Sequence, residues 1–261
     1  MAKDFSWLRP DRTGLYVVPA DCWIDPAQPV SCALVTHGHS DHARGGHART
    51  MATPETLAIM ALRYGVDAGT VPAHYGAPLP LGGGVTATWL PAGHVLGSAQ
   101  ILLEHAGERV VVTGDYKRRA DPTCAPFEAV SCDLLITEAT FGLPLFRHPP
   151  IEEEIAKLLG RLSLHPERCV LVGAYALGKA QRLIAELRRA GWSAPIYLHG
   201  ALERMCWLYE EWGVPLGELA LVAETPKAEL AGQIVLCPPS ALNDRWARRL
   251  PEPVTAMASG W

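Results

Sequence analysis

Within six residues the chain places His37-Gly38-His39-Ser40-Asp41-His42, directly after the apolar run Ala33-Leu34-Val35-Thr36. Neutral imidazole nitrogens and carboxylate oxygens are ligands that suit zinc and related divalent cations. A strand end aims residues i and i+2 to the same side, so His37 and His39 can grip one ion. Gly38 and Ser40 let the chain turn. Asp41 and His42 then open a short helix and point at a second metal position. His94 closes Pro91-Ala92-Gly93-His94 after another apolar run, and Asp115 closes Thr113-Gly114-Asp115 after a third. A carboxylate at that rim is placed to bridge two cations. Asp25, ending Cys22-Trp23-Ile24-Asp25, can orient a ligand histidine from behind. His47 falls outside this spacing and reads as a surface or supporting residue.

These groups need rigid strands behind them. Alternation and β-branched content predict strands over Leu15–Val18, Ala33–Thr36, Val85–Leu90, Gln100–Glu104, Arg109–Thr113 and Leu134–Thr137. A helix is predicted over Glu55–Tyr64, with Leu57, Met60, Ala61 and Tyr64 inward and Gly65 as its stop. From residue 151 the rhythm changes to alternating helices and strands. Helices are expected over Ile151–Leu162, Lys179–Ala190 and Ala201–Trp212, and strands over Cys169–Gly173, Ile196–Leu198, Gln233–Cys237 and Pro253–Ala258. That order implies an α/β fold with a parallel sheet. Pro144, Pro149 and Pro150 mark the boundary. Trp192, Trp207 and Trp212, in or beside helices, read as core residues.

The chain has 261 residues, enough for a core domain and a second one. Apolar residues make up 49% and charged residues 19%, which excludes a disordered chain. The net charge of −4 gives no overall attraction to nucleic acid, so any such attraction must be local. Basic runs occur at Lys117-Arg118-Arg119, Arg188-Arg189 and between Arg245 and Arg249. The seven cysteines form no C-x-x-C pair and read as reduced core residues, as in the cytoplasm. No apolar run approaches the roughly 18 residues of a membrane span. Met1 to Phe5 has no apolar signal core.

The six-residue histidine-aspartate signature, followed in order by His94 and Asp115, resembles the metallo-β-lactamase superfamily. The finer likeness is to its β-CASP nuclease branch. There an acidic residue follows a strand after the bridging aspartate, as Glu138 does in Leu134-Leu135-Ile136-Thr137-Glu138, and an inserted α/β domain comes next. The segments Ile136–Pro144, Val172–Lys179 and Met257–Trp261 resemble bacterial ligase-associated DNA exonucleases, relatives of the Artemis-type repair nucleases.

The resemblance implies an αββα sandwich with a β-CASP-like insertion: residues 1–143 as core, 144–250 as insertion and 251–261 as an incomplete return to the core. It implies two zinc sites, with manganese or magnesium as alternatives. His37, His39 and His94 would hold one ion, Asp41 and His42 would serve the second, and Asp115 would bridge. Asp41, Glu138 and Asp25 would assist catalysis. Lys179, opening a helix after Gly178, would take a substrate phosphate. The activity implied is hydrolysis of DNA with free ends, in end processing or repair, beside an ATP-dependent DNA ligase and a helicase. A β-CASP ribonuclease and a catalytically incomplete scaffold subunit or fragment are the alternatives. Relatives continue to a serine-aspartate-histidine segment that this sequence lacks, so a C-terminal truncation is expected.

Overall fold

The computed structural model describes residues 4–65 and 69–260, so Trp261 lies outside the described residues. The chain divides into two compact units, residues 1–140 and residues 141–261. Among the described residues, three sheets and four helices of eleven residues or more make up a mixed α/β structure.

The first unit carries two sheets. One runs β1 (Leu8–Pro10), β2 (Leu15–Val17), β3 (Cys22–Ile24), β4 (Ala33–Leu34), β5 (Thr50–Ala52) and β6 (Thr70–Pro72). Its first two pairings are antiparallel and the next three parallel. The other runs β11 (Leu134–Ile136), β10 (Glu108–Val112), β9 (Ala99–His105), β8 (Val85–Pro91) and β7 (Leu79–Gly82). It is antiparallel except where β11 lies parallel to β10. Side chains of both sheets meet in one core, among them Val17, Ile24, Leu34 and Met51 with Trp89, Ile101, Leu103 and Val110. The indole of fully buried Trp89 donates to the carbonyl of Val35 at 3.0 Å, which ties β8 to the segment that delivers His37.

The helix α1 (Pro54–Tyr64) starts on the expected segment, but its buried face is Thr56, Ile59 and Met60. Leu57 is only partly buried and Tyr64 is exposed. The rotation has a polar cause. The hydroxyls of Thr53 and Thr56 donate to the carbonyl of Gly97 at 2.6 and 3.0 Å, and apolar periodicity cannot register that demand. Ile59 then fills the space beside Gly38, where a Cβ would lie 2.6 Å from Ile59 Cγ2. Only glycine fits between His37 and His39 with that helix in place.

In the second unit, β14 (Leu219–Leu221), β13 (Ile196–Leu198), β15 (Ile234–Cys237), β12 (Val170–Gly173) and β16 (Val254–Met257) form an all-parallel sheet in that order. The helices α2 (Ile151–Leu164), α3 (Lys179–Arg189) and α4 (Gly200–Glu211) fall where the sequence places them. On α3 and α4 the expected inward residues, from Ala180 to Leu187 and from Leu202 to Tyr209, are buried. Val254–Met257, within the 251–261 stretch assigned from the sequence to a return to the first domain, supply β16 to this second sheet. Near it, Gly260 packs against the Phe141 ring and its carbonyl meets His148 Nε2 at 2.9 Å. Trp207 and Trp212 are not core residues. They are 53% and 40% exposed, because α4 turns Leu202, Met205, Cys206 and Tyr209 inward and leaves Trp207 on the opposite face.

Candidate metal centre

The centre is assembled from loops that leave the ends of four strands. Behind β3, Asp25 adopts a left-handed backbone at φ 45° and turns its carboxylate toward the neighbouring segment. There the strand ladder is replaced by side-chain bonds. Asp25 Oδ1 accepts from the Thr36 backbone at 2.8 Å, and Oδ2 accepts from the Thr36 hydroxyl at 2.6 Å. The same Oδ2 lies 2.8 Å from His42 Nδ1. A residue expected to steady a ligand from behind therefore touches His42 and fixes its ring. Residues 40–42 form a turn closed onto the His39 carbonyl, in place of the expected short helix.

His37, His39, His94 and Asp115 converge. One ligand atom from each lies within 4.8 Å of all the others, and among the described residues no other such group of three or more occurs. His37 Nε2 is 2.9 Å from His39 Nδ1, and His94 Nε2 is 3.1 Å from that same nitrogen. Asp115 Oδ2 stands 3.8 Å from His37 Nε2 and 3.6 Å from His94 Nε2. Ligands about 2.0 Å from a tetrahedral ion are separated by roughly 3.3 Å, so this donor set fits a cation at its centre.

The electrostatics agree with that fit. Burial holds the His37 imidazole well below its ordinary value, and burial followed by the neighbouring His39 pushes His94 down to about 3. Both rings are thus neutral and present lone pairs at physiological pH. His42 behaves differently. Burial opposes its charge, but hydrogen bonds to Asp115 and Asp25 outweigh burial and raise it to about 10. Its Nε2 lies 3.3 Å from Asp115 Oδ1, so Asp115 faces both the three-histidine cluster and His42. Asp41 is set apart. Its side chain is 76% exposed and its carboxylate reaches no nearer than 3.8 Å to His42 Nε2.

Glu138 accepts from the backbone of Tyr116 at 3.4 Å and of Thr140 at 3.0 Å, which ties the end of β11 to the residue after Asp115. Lys117, in the basic run next to it, pairs with buried Asp121, so its charge is committed within the loop while Arg118 and Arg119 are exposed. His47 is buried, not superficial, and its Nδ1 accepts from Val30 at 3.2 Å. In the second unit Lys179 opens α3. Its turn is braced by fully buried Gln181, which accepts from Gly178 N at 2.8 Å and donates to Ala176 O at 2.9 Å.

Several supports had no signal in residue type alone. The Ser98 hydroxyl accepts from His94 N at 3.0 Å and Val95 N at 3.1 Å and so shapes the loop of His94. Arg63, in the last turn of α1, donates to the Gly38 carbonyl at 2.6 Å. One helix therefore steadies both histidine loops, by Thr53 and Thr56 at its start and by Arg63 at its end. A threonine directly before Pro54 is a helix-capping pattern, and that was the readable hint.

No family model matches the chain. A "Probable DNA ligase" of Opitutus terrae is 33% identical over 256 residues, which is 95% of this chain and 24% of that protein. "Endoribonuclease ysh1" of Aspergillus fumigatus is 37% identical over 134 residues, 47% of this chain and 15% of that protein. The endoribonuclease homologues are β-CASP nucleases of the metallo-β-lactamase superfamily, and the chain is consistent with that branch. "Cleavage and polyadenylation specificity factor 73" of Drosophila melanogaster is another β-CASP relative, 34% identical over 44% of this chain and 18% of that protein. The chain thus spans about a quarter or less of these relatives' lengths. A crystal structure of a protein of unknown function from Enterococcus faecalis matches the fold with a TM-score of 0.53 at 16% identity, over 87% of this chain and 58% of that one. No helix among the described residues is long and apolar enough to cross a membrane.

Proposed function

We propose that this chain is a zinc-dependent DNA exonuclease of the β-CASP branch that hydrolyses phosphodiester bonds at DNA ends in the cytoplasm, in a pathway shared with a DNA ligase. The observation that carries the DNA reading is the relative named a DNA ligase, whose likeness runs through 95% of this chain. Relatives named for RNA cleavage match about half of it at 34–38% identity, and one reaches 76% of it at 28% identity, in each case less of the chain than the ligase relative. An ATP-dependent ligase and a helicase are the partners this reading implies. The fold reading is an αββα sandwich with the second unit as the β-CASP insertion, and the core shared by the first unit's two sheets is in keeping with it.

His37, His39 and His94 would hold one zinc, with Asp115 reaching between it and a second ion near His42 and Asp41. The metals would supply charge neutralisation at the phosphate and a nucleophile available at neutral pH. Asp25 keeps the His42 ring fixed through Nδ1. Asp115, whose carboxyl is held below its ordinary value because the His42 hydrogen bond outweighs burial, stays ionised and offers an oxygen to each side. Glu138 sets the backbone just after Asp115. Lys179 offers a phosphate contact where the start of α3 already favours an anion.

The test is a time course on 5′-phosphorylated and 5′-hydroxyl single-stranded DNA and on RNA of the same sequence, with zinc, manganese or chelator. The expected result is metal-dependent shortening of DNA from an end, with RNA cut at least tenfold more slowly. RNA cleavage at equal or higher rate would favour the ribonuclease reading, which the endoribonuclease relatives motivate.

A further inference from the structure

A second cluster of reactive side chains lies in the first sheet, away from the metal ligands. The parallel register pairs Trp23 with Ala33, and Trp23 N donates to Cys32 O at 2.9 Å. Cys22 and Cys32 are thus cross-strand neighbours on one face, and their sulfurs stand 2.6 Å apart. Neighbouring strands about 4.8 Å apart fall within the Cα separation that a disulfide accepts. Both cysteines are buried, but exposed Arg49 covers them, with its guanidinium 3.2 Å from the Cys32 sulfur and 3.9 Å from that of Cys22.

The two thiols are not equivalent. Cys22 donates toward Ala20 O at 3.3 Å and toward Cys32, which favours its protonated form. Cys32 accepts from Cys22 and from Arg49, and those contacts hold it down near 6 against the opposing effect of burial. Cys169, Cys206 and Cys237 have the reverse setting, with burial pushing each thiol up to between about 11 and 12.

We propose that Cys22 and Cys32 form a peroxide-reactive dithiol, in which Cys32 attacks, Cys22 resolves, and the product is a reversible disulfide joining β3 to the segment that opens β4. Its substrate class is small hydroperoxides. The Cys32 thiolate attacks one oxygen of hydrogen peroxide. An S–O bond forms, the O–O bond breaks, and hydroxide leaves to be protonated to water. The Cys22 sulfur then attacks the Cys32 sulfenic sulfur. The S–S bond forms, the S–O bond breaks, and hydroxide departs with the Cys22 proton as a second water. The two thiols lose two electrons and the peroxide gains them.

The experiment treats the native, metal-loaded protein with hydrogen peroxide at pH 7, blocks remaining thiols in denaturant, and identifies peptides by mass spectrometry. The expected first product is the Cys22–Cys32 cross-linked peptide, reversed by dithiothreitol. Arg49→Met should slow its formation roughly tenfold at pH 7 and move the rate profile to higher pH, because the thiolate loses its cation. Cys22→Ser should leave a Cys32 sulfenic acid that dimedone traps. The proposal is overturned if the wild-type protein keeps both Cys22 and Cys32 alkylatable, or if Cys22→Ser gives no dimedone adduct on Cys32 while Cys32→Ser gives one on Cys22. The wild-type measurement requires no variant to fold.

Discussion

At the end of β4 the chain presents side chains, and at the end of β12 it presents backbone. Beyond β4, His37 and His39 point their ring nitrogens at His94 and Asp115, and the surrounding polar groups fix those rings. Beyond β12, the loop to α3 is shaped from inside by Gln181, whose amide satisfies the main chain at Gly178 and Ala176. The difference teaches where function is written. A metal centre needs particular donor atoms, so its residue types announce it. An anion-favouring helix start needs orientation and a dipole, which many sequences provide.

The largest expected effect breaks the first of these regions and leaves the second intact. His39→Ala or Asp115→Ala should lower metal-dependent phosphodiesterase activity by at least about 10³-fold, since metals supply several kcal/mol to such a step. Initial rates at matched protein and metal concentration measure this, and activity within tenfold of wild type would place the chemistry elsewhere. Asp25→Asn sharpens the same region at its second layer. It should weaken metal affinity by about 10- to 100-fold, as changes behind ligating histidines do. Competitive titration against a chelating dye reads the change, and unaltered affinity would mean the His42 ring needs no brace.

The second region is tested by Gln181→Ala, which strands buried backbone groups and should destabilise the second unit by about 1–3 kcal/mol. Denaturant unfolding with a probe in α3 or α4 should register the loss while metal content stays constant. The smallest effect is expected from Lys179→Ala. KM for 5′-phosphorylated DNA should rise by about tenfold, with kcat and metal content little changed, as for loss of one phosphate contact. An equal KM effect on 5′-hydroxyl DNA would detach Lys179 from the terminal phosphate.

Much of this contrast was legible in the sequence because strand ends, apolar runs and donor types are local. His37, His39, His94 and Asp115 each follow an apolar run and are brought together, and the helix-strand rhythm after residue 151 gives a parallel sheet. What stayed hidden depends on register and on hydrogen bonds across the fold. The strands β1, β6 and β7 are short and contain proline, so their composition reads as loop. The face of α1 was misread because Thr53 and Thr56 answer to Gly97, a partner more than forty residues away. Asp41 shares the signature with the histidines but faces outward, since residue spacing does not fix how a turn closes. The nearness of Cys22 to Cys32 follows from the pairing of Trp23 with Ala33, which no spacing rule announces.

The central claim is that His37, His39, His94 and Asp115 hold the metal. X-ray absorption at the zinc edge, on zinc-loaded wild-type protein and on His39→Ala, tests it most directly. The account predicts a first shell of nitrogen and oxygen near 2.0–2.1 Å with imidazole scattering that declines in the variant. Sulfur in the first shell near 2.3 Å, or a spectrum unchanged by His39→Ala, would contradict it.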